Sequence, residues 1–115
     1  MKPQRIVLSR RAGFDLQALS QALNGLPAQS VARPGPWGNP FTIDAVAEEL
    51  GVDRMQAQAE AVARHGKWLR GEFAGPKPAP DLTELRRQLG GKNLACWCRA
   101  GTPCHVDNLL VVANE

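Results

Sequence analysis

The sequence predicts a small single-domain α/β protein in which helices cover a short sheet. The 115 residues are 43% hydrophobic and 22% charged, which fits one globular domain spanning residues 1–115. Short β-type runs alternate with stretches of helical periodicity, and glycine or proline separates them. Two or three short strands make a small sheet, so the helices must cover much of it.

The first half of the chain contains two of these runs and two helical stretches. We predict a strand at 6–8, a helix at 15–24, a strand at 29–33 and a helix at 43–50. Asp15 can cap the first helix and Gly25 can end it, while Gly51 ends the second. The predicted apolar face of the first helix comprises Leu16, Leu19, Ala22 and Leu23.

The second half predicts a long helix at 53–73, a helix at 81–89, a strand at 93–97 and a final helix. Thr102 and Pro103 have the residue types of a cap and a first helical position. His65 is expected at the surface of the long helix or at the boundary of the core. The predicted buried stripe of that helix comprises Met55, Ala59, Val62, Ala63 and Leu69.

Composition limits the classes of protein to consider. No run approaches the eighteen or so apolar residues of a membrane span, and the basic N-terminus has no apolar signal segment. The three cysteines fall within positions 96–104, which is not a disulfide framework, so a reducing cytoplasm is expected. A net charge of +3 leaves a nucleotide or nucleic-acid partner open without arguing strongly for one.

The segment from Cys96 to His105 is the strongest candidate for chemistry. Cys96 and Cys98 end a strand, and Cys104 and His105 follow a short loop. Taken alone, Cys96 would be a small core residue, but three thiols and an imidazole together are a plausible tetrahedral zinc set. Adjacent helical residues diverge by about 100°, so Cys104 and His105 share one ion only if the first turn is distorted. A three-ligand site with an open position is therefore as reasonable as a closed one.

The same segment allows a reading without metal. A helix N-terminus lowers a thiol pKa and attracts anions, so Cys104 could be an activated thiolate, or the turn could hold a phosphate. In that reading Cys104, His105 and Asp107 are the catalytic candidates. Asp107 lies on the side of Cys104, roughly opposite His105, and would act as a polar partner. The residues leave the two readings open.

A second unusual segment runs from Arg33 to Phe41 and reads RPGPWGNPF. Its prolines and glycines can hold side chains in set positions at little entropic cost. Arg33 would bind a phosphate or carboxylate, Trp37 would stack on a base and Asn39 would read a polar edge. The alternative is a structural turn, which is the more expected role for the aromatic residues.

Together the two segments resemble a family of small bacterial and bacteriophage proteins known only as a domain of unknown function. The resemblance rests on RPGPWGNPF at 33–41, GKNLACWC at 91–98 and CHVDNLL at 104–110, and it covers nearly the whole chain. It implies that both segments form one site. The phage association implies a setting in nucleotide or nucleic-acid metabolism, but the resemblance supplies no reaction.

The leading hypothesis is therefore a cytoplasmic protein that binds a nucleotide-like or other anionic ligand, with catalysis left open. Arg33, Trp37 and Asn39 would bind the ligand, and zinc or a thiolate would supply any chemistry. The rival is a non-catalytic structural zinc module that mediates protein or nucleic-acid interaction. A third possibility is a metal-free phage interaction protein, in which all three cysteines are replaceable.

Overall fold

The computed structural model describes residues 2–33 and 35–115. Within that part of the chain there are three strands and five helices, which confirms the predicted α/β class. Their bounds are β1 (Arg5–Val7), α1 (Leu16–Asn24), β2 (Ala28–Ser30), α2 (Ile43–Leu50), α3 (Arg54–Leu69), α4 (Leu82–Leu89), β3 (Asn93–Cys96) and α5 (His105–Ala113).

The three strands form one parallel sheet in the order β1-β3-β2. Ala95 in the central strand lies opposite Ile6 on one side and Ser30 on the other. Because all the strands run the same way, their carboxyl ends meet at one edge. The loops that follow β1, β2 and β3 emerge there, and this is the edge at which open α/β sheets usually bind ligands.

Helices cover both faces of the sheet. Ala95 packs with Ile6 and Ala28 on the face that carries α1. Leu94 and Cys96 point the opposite way into the larger core, which α3, α4 and α5 complete. All four residues of β3 are buried, as expected for the central strand of a covered parallel sheet.

The exposure of α1 differs from the prediction. Leu19 and Leu23 are 44% and 42% exposed, whereas Ser20 and Asn24 are buried. The reason is a buried amide in β3, because Asn93 Nδ2 donates to Ser20 Oγ at 2.7 Å and to Asn24 Oδ1 at 2.8 Å. A buried amide without partners would cost about 1–3 kcal/mol, so the polar side of α1 turns inward.

The predicted stripe of α3 is wrong at three positions. Met55 is 78% exposed, and Ala59 and Ala63 are also exposed, while Val62 is half-buried and Leu69 is buried as predicted. The helix packs against both α2 and α5, so small side chains occupy much of its inner face. Its buried residues are Ala57, Ala61, His65, Trp68 and Leu69.

Two further predictions about α3 are corrected. His65 is fully buried, although it was expected at the surface or at the boundary of the core. The helix ends at Leu69 and not at 73, because the chain turns at Gly71, whose φ of +77° lies in the left-handed region that favours glycine. Among the residues that the structure describes, no helix is long and apolar enough to cross a membrane.

Candidate metal centre

The candidate site lies where β3 leaves the sheet and α5 begins. Cys96 is the last residue of β3, and Cys98 follows it half-buried in the loop. The final helix begins at His105 with Cys104 as its N-cap, so the prediction that Thr102 and Pro103 start it is wrong. Cys104 has extended backbone angles, with φ −149° and ψ 144°. Because Cys104 is not helical, the 100° rotation between adjacent helical residues does not separate its side chain from that of His105. Both side chains can therefore bind the same ion.

The four predicted ligands converge. Cys96 Sγ lies 3.3 Å from Cys98 Sγ and 3.3 Å from Cys104 Sγ, and Cys104 Sγ lies 3.8 Å from His105 Nδ1. All four donor atoms lie within 4.8 Å of one another. Tetrahedral bonds from a zinc ion to these atom types would set them about 3.5–3.8 Å apart. The four side chains can therefore hold a metal ion.

The imidazole of His105 is oriented by the loop after β2. Its Nε2 lies 2.8 Å from the carbonyl oxygen of Val31, and because a carbonyl only accepts, Nε2 must carry the hydrogen. In the neutral ring, which is the form that binds metal, Nδ1 is then the nitrogen with a lone pair, and it is the one that faces the sulfur atoms. Metal-binding histidines are commonly fixed in this way by a carbonyl on the opposite nitrogen.

Backbone N–H groups stabilise negative charge on two of the sulfur atoms. The amide of Cys98 donates to Cys96 Sγ at 3.4 Å, and the amide of Val106, in the first turn of α5, bonds to the sulfur of Cys104. A helix N-terminus further favours a thiolate over a thiol. Thiolate is the form that binds metal.

The sulfur atoms are close enough to control each other's protonation. Hydrogen bonding with Cys104 and Cys98 lowers the pKa of Cys96, whereas hydrogen bonding with Cys96 and Cys98, together with burial and the charge of Cys96, raises the pKa of Cys104. Burial lowers the pKa of His105, but its bonds to the Cys96 and Cys98 sulfur atoms and to Val31 outweigh burial and raise that pKa to about 9. Without a metal, hydrogen bonds among the three sulfur atoms and the imidazole stabilise a negative charge on Cys96.

Arg5 holds the loop between Cys98 and Cys104 in place through hydrogen bonds. Its guanidinium donates to the carbonyl oxygens of Thr102 and Arg99, at 2.8 Å each, and pairs with Asp107 at 3.2 Å. Asp107 is thus placed against Arg5, with 55% of its side chain exposed, and it does not join the four converged ligands.

His65 forms the packing behind His105. Their rings meet edge to face with centroids 5.3 Å apart. Burial, followed by the charge of His105, lowers the pKa of His65 to about 3, so this ring is neutral. Its Nδ1 accepts from Asn108 Nδ2 at 3.2 Å, and Asn108 also donates to the carbonyl of Val62 at 2.8 Å.

A cavity of about 280 Å³ lies directly beside the four ligands. All four line it, together with Arg33, which is exposed at its edge. Gln58 lines it from α3 and donates through Nε2 to the carbonyl of Pro103 at 2.7 Å. The loops after β2 and β3 therefore meet at one cavity.

Of the three ligand-binding candidates in the segment 33–41, two line the cavity and one does not. Arg33 and Asn39 line the cavity, whereas Trp37 is buried in the main core and is not among the lining residues. Asn39 is 7% exposed; its Nδ2 donates to the carbonyl of Ala61 at 3.2 Å, and its Oδ1 accepts from the Phe41 amide at 2.9 Å. The bond to Ala61 fastens the loop to α3, and the bond from Phe41 closes a turn within the loop.

Three residues at the site were not singled out from the sequence as parts of it. Val31 contributes only a backbone carbonyl, which no residue type reveals. Arg5 begins the short first strand and had no role at the site assigned to it. His65 had a usable signal, because it continues the spacing of four that joins Ala57 to Ala61, ahead of the apolar Trp68.

A family model described as Domain of unknown function (DUF4326) matches residues 20–115. The match includes both sequence segments discussed above, and it begins within α1. No curated protein and no solved structure shows a significant match to the chain. The match defines a family and assigns no reaction to it.

Proposed function

The chain belongs to the DUF4326 family, and we propose that it binds one zinc ion, which supports a cleft for a small anionic, nucleotide-like ligand. The observation that carries the proposal is the orientation of His105. Its Nε2 is bonded to Val31, and its Nδ1 lies among three sulfur atoms. Zinc is the metal that Cys₃His sets of this kind most often bind in proteins.

The donor set favours a structural role for the ion. Four protein ligands complete a tetrahedral zinc site and leave no position for water or substrate, unlike a catalytic site with three protein ligands. The ion would join the end of β3 to the first turn of α5. With Cys104 and His105 acting as ligands, neither is available as a free nucleophile or base, so this proposal replaces the activated-thiol hypothesis.

Charge decides which group would attract a ligand. Three thiolates around a divalent cation carry a net charge of −1, so the metal centre itself would not attract an anion. Arg33 lines the cavity and is the cation at its edge. Its planar guanidinium can form two parallel hydrogen bonds to a phosphate or carboxylate. Arg33 is therefore the proposed anion-binding residue.

The position of the cavity supports a binding role. It lies between the loops that follow β2 and β3, at the carboxyl edge of a parallel sheet. Ligands of open α/β sheets usually occupy this crevice. Its volume of about 280 Å³ suits one small molecule. The cysteine ligands also fit a reducing compartment, and the cytoplasm is the localisation we propose.

Metal content is the first test. Native mass spectrometry and elemental analysis of protein purified without chelator or affinity metal should find one zinc per chain. Inorganic phosphate and pyrophosphate would then be titrated into the zinc-loaded protein and into the Arg33→Gln variant. We expect binding to the first and a loss of roughly tenfold or more in the second, as a charged hydrogen-bonding partner is removed.

The rival function is a zinc module that mediates interactions without a small ligand. It predicts the same zinc content but no binding of either anion. A surface control is Arg87→Gln on α4, where the side chain pairs with Glu84. Anion binding that falls equally in both variants would mean general charge attraction, and the cleft would then not be a specific anion site.

A further inference from the structure

We infer that the ligand of this cleft carries an aromatic base as well as a phosphate, and that Trp97 is the surface on which the base stacks. The inference rests on the proposed function and assigns the residue that would recognise the base. The ligand class is a nucleotide unit, either free or within a single strand.

Trp97 differs from the other two tryptophans of the chain. It is 46% exposed, whereas Trp37 and Trp68 are 8% and 3% exposed. Trp37 packs in the main core, and Trp68 packs against Phe41 and donates through Nε1 to the carbonyl of Lys77 at 2.9 Å. Trp97 is therefore the tryptophan that can offer an aromatic face to a ligand.

The surroundings of Trp97 favour stacking over simple exposure. Trp97 is one of the residues that line the same cavity as Arg33. On one face, the guanidinium carbon of Arg10 lies 4.5 Å from the ring centroid, and Trp97 remains 46% exposed despite that contact. A base on the opposite face would extend the stack, as bases do on aromatic platforms in single-strand binding proteins.

The neighbours of Trp97 in sequence would hold this platform in place. Cys96 and Cys98, on either side, are two of the four proposed zinc ligands, so the metal would fix the backbone on both sides of the ring. A platform that is ordered before binding loses little entropy when the ligand arrives. The zinc ion would therefore contribute to ligand recognition by ordering Trp97, although protein ligands fill all four of its coordination positions.

Charge completes the recognition. Arg33 lies at the cavity, Arg10 lies over Trp97 and Arg99 follows Cys98 in the loop, and the whole chain carries +3. A nucleotide could then bind Arg33 through its phosphate and stack its base on Trp97. The sequence suggested Trp37 as the residue that stacks on a base. We assign that role to Trp97 instead.

The test compares fragments of a nucleotide on the zinc-loaded protein. Calorimetry would measure adenosine and cytidine 5′-monophosphates, adenosine, inorganic phosphate and a ten-residue oligothymidylate against wild type, Trp97→Ala and Trp97→Phe. Leu23→Ala is the control, because it removes an equally exposed apolar side chain from α1, away from the cavity. Zinc content would be measured in every variant.

We expect a monophosphate to bind at least about tenfold more tightly than inorganic phosphate, since stacking of one base contributes on that scale. Trp97→Ala should abolish this advantage, and Trp97→Phe and Leu23→Ala should keep most of it. Similar affinities for the monophosphate and the oligonucleotide indicate a free nucleotide. A much tighter oligonucleotide with a Trp97-dependent affinity indicates a nucleotide within a strand.

Two results would overturn the inference. If monophosphate and phosphate bind equally, or if Trp97→Ala with full zinc content leaves monophosphate affinity unchanged, no base stacks on Trp97. Phosphate binding that still depends on Arg33 would then leave the proposed anion cleft standing. If the zinc-loaded protein binds none of these probes, the anion cleft fails as well, and only the metal centre remains.

Discussion

The imidazole Nε2 of His105 donates to the carbonyl oxygen of Val31 across a sequence separation of 74 residues. This bond links the loop after β2 to the first turn of α5. It also selects which ring nitrogen can bind a metal, because only Nδ1 is left to accept. The geometry of the metal centre thus depends on backbone from a distant part of the chain.

The first prediction is that zinc bonds to Nδ1 of His105 and not to Nε2. Long-range ¹H–¹⁵N NMR of the zinc-loaded protein should show Nδ1 coordinated and a protected hydrogen on Nε2. His105→Ala should lose zinc affinity by roughly a hundredfold or more, beyond the 10–100-fold typical of losing an outer partner. His105→Cys restores a fourth ligand and should recover part of the loss. Coordination through Nε2 would contradict this.

The second prediction concerns metal removal. Zinc that binds only the folded chain adds about 4 kcal/mol of stability when its concentration is a thousand times its dissociation constant. A strong chelator at neutral pH should therefore lower Tm by roughly 10 °C or more. Circular dichroism would follow the transition, and restoring zinc should restore Tm. An unchanged Tm after verified loss of zinc would show that the ion does not stabilise the fold.

The ligands were predictable from the sequence because their arrangement is local. Cys96, Cys98, Cys104 and His105 lie within ten positions, and one strand, one loop and one helix start bring them together. The family model includes this segment but does not test its individual motif residues. The short sheet with covering helices was also predictable, because glycine and capping residues marked the start or end of several elements.

The supporting residues were not predictable because their roles depend on tertiary packing. Arg5 contacts a carbonyl 97 positions away, and Val31 acts only through its backbone. The sequence did not show which alanines of α3 face inward, because Ala59 and Ala63 are exposed although they are the same residue type as the buried ones. Met55 is apolar but exposed, whereas the small Ala57 and Ala61 fill the contact with neighbouring helices.

The third prediction separates Arg5 from Asp107. Arg5→Gln removes two bonds to loop carbonyls, so zinc transfer to a chromogenic chelator should accelerate by roughly tenfold. Asp107→Asn removes only a half-exposed ion pair, whose usual contribution is about 0–1 kcal/mol, and should change the rate little. If Asp107→Asn abolishes ligand binding while zinc and fold stay intact, Asp107 has the functional role suggested by the sequence.

The fourth prediction concerns Asn39. Asn39→Ala leaves the carbonyl of Ala61 and the amide of Phe41 without their buried partner, which should lower the free energy of unfolding by about 1–3 kcal/mol. Urea unfolding at constant zinc would measure the change. Asn39→Asp keeps the acceptor for Phe41 but sets a buried carboxylate against the carbonyl oxygen of Ala61, so it should not restore stability. Unchanged stability with lost ligand binding would instead support the predicted ligand-reading role.

The last prediction uses Gly38 to move Arg33 without removing its charge. A Cβ added at Gly38 would lie 2.5 Å from Arg33 Cγ and 3.1 Å from its Cα, so the arginine must shift. Gly38→Ala should therefore weaken phosphate binding while zinc content stays at one per chain.

A double-mutant cycle provides the control for that change. In Arg33→Ala the Cγ atom is absent, so adding Gly38→Ala should cost little further affinity, whereas independent sites would give additive losses. Calorimetry with inorganic phosphate on the four proteins measures the coupling. Additive losses would mean that Gly38→Ala acts on the cleft by a route other than Arg33, and the anion would then be held by a different group in the cavity.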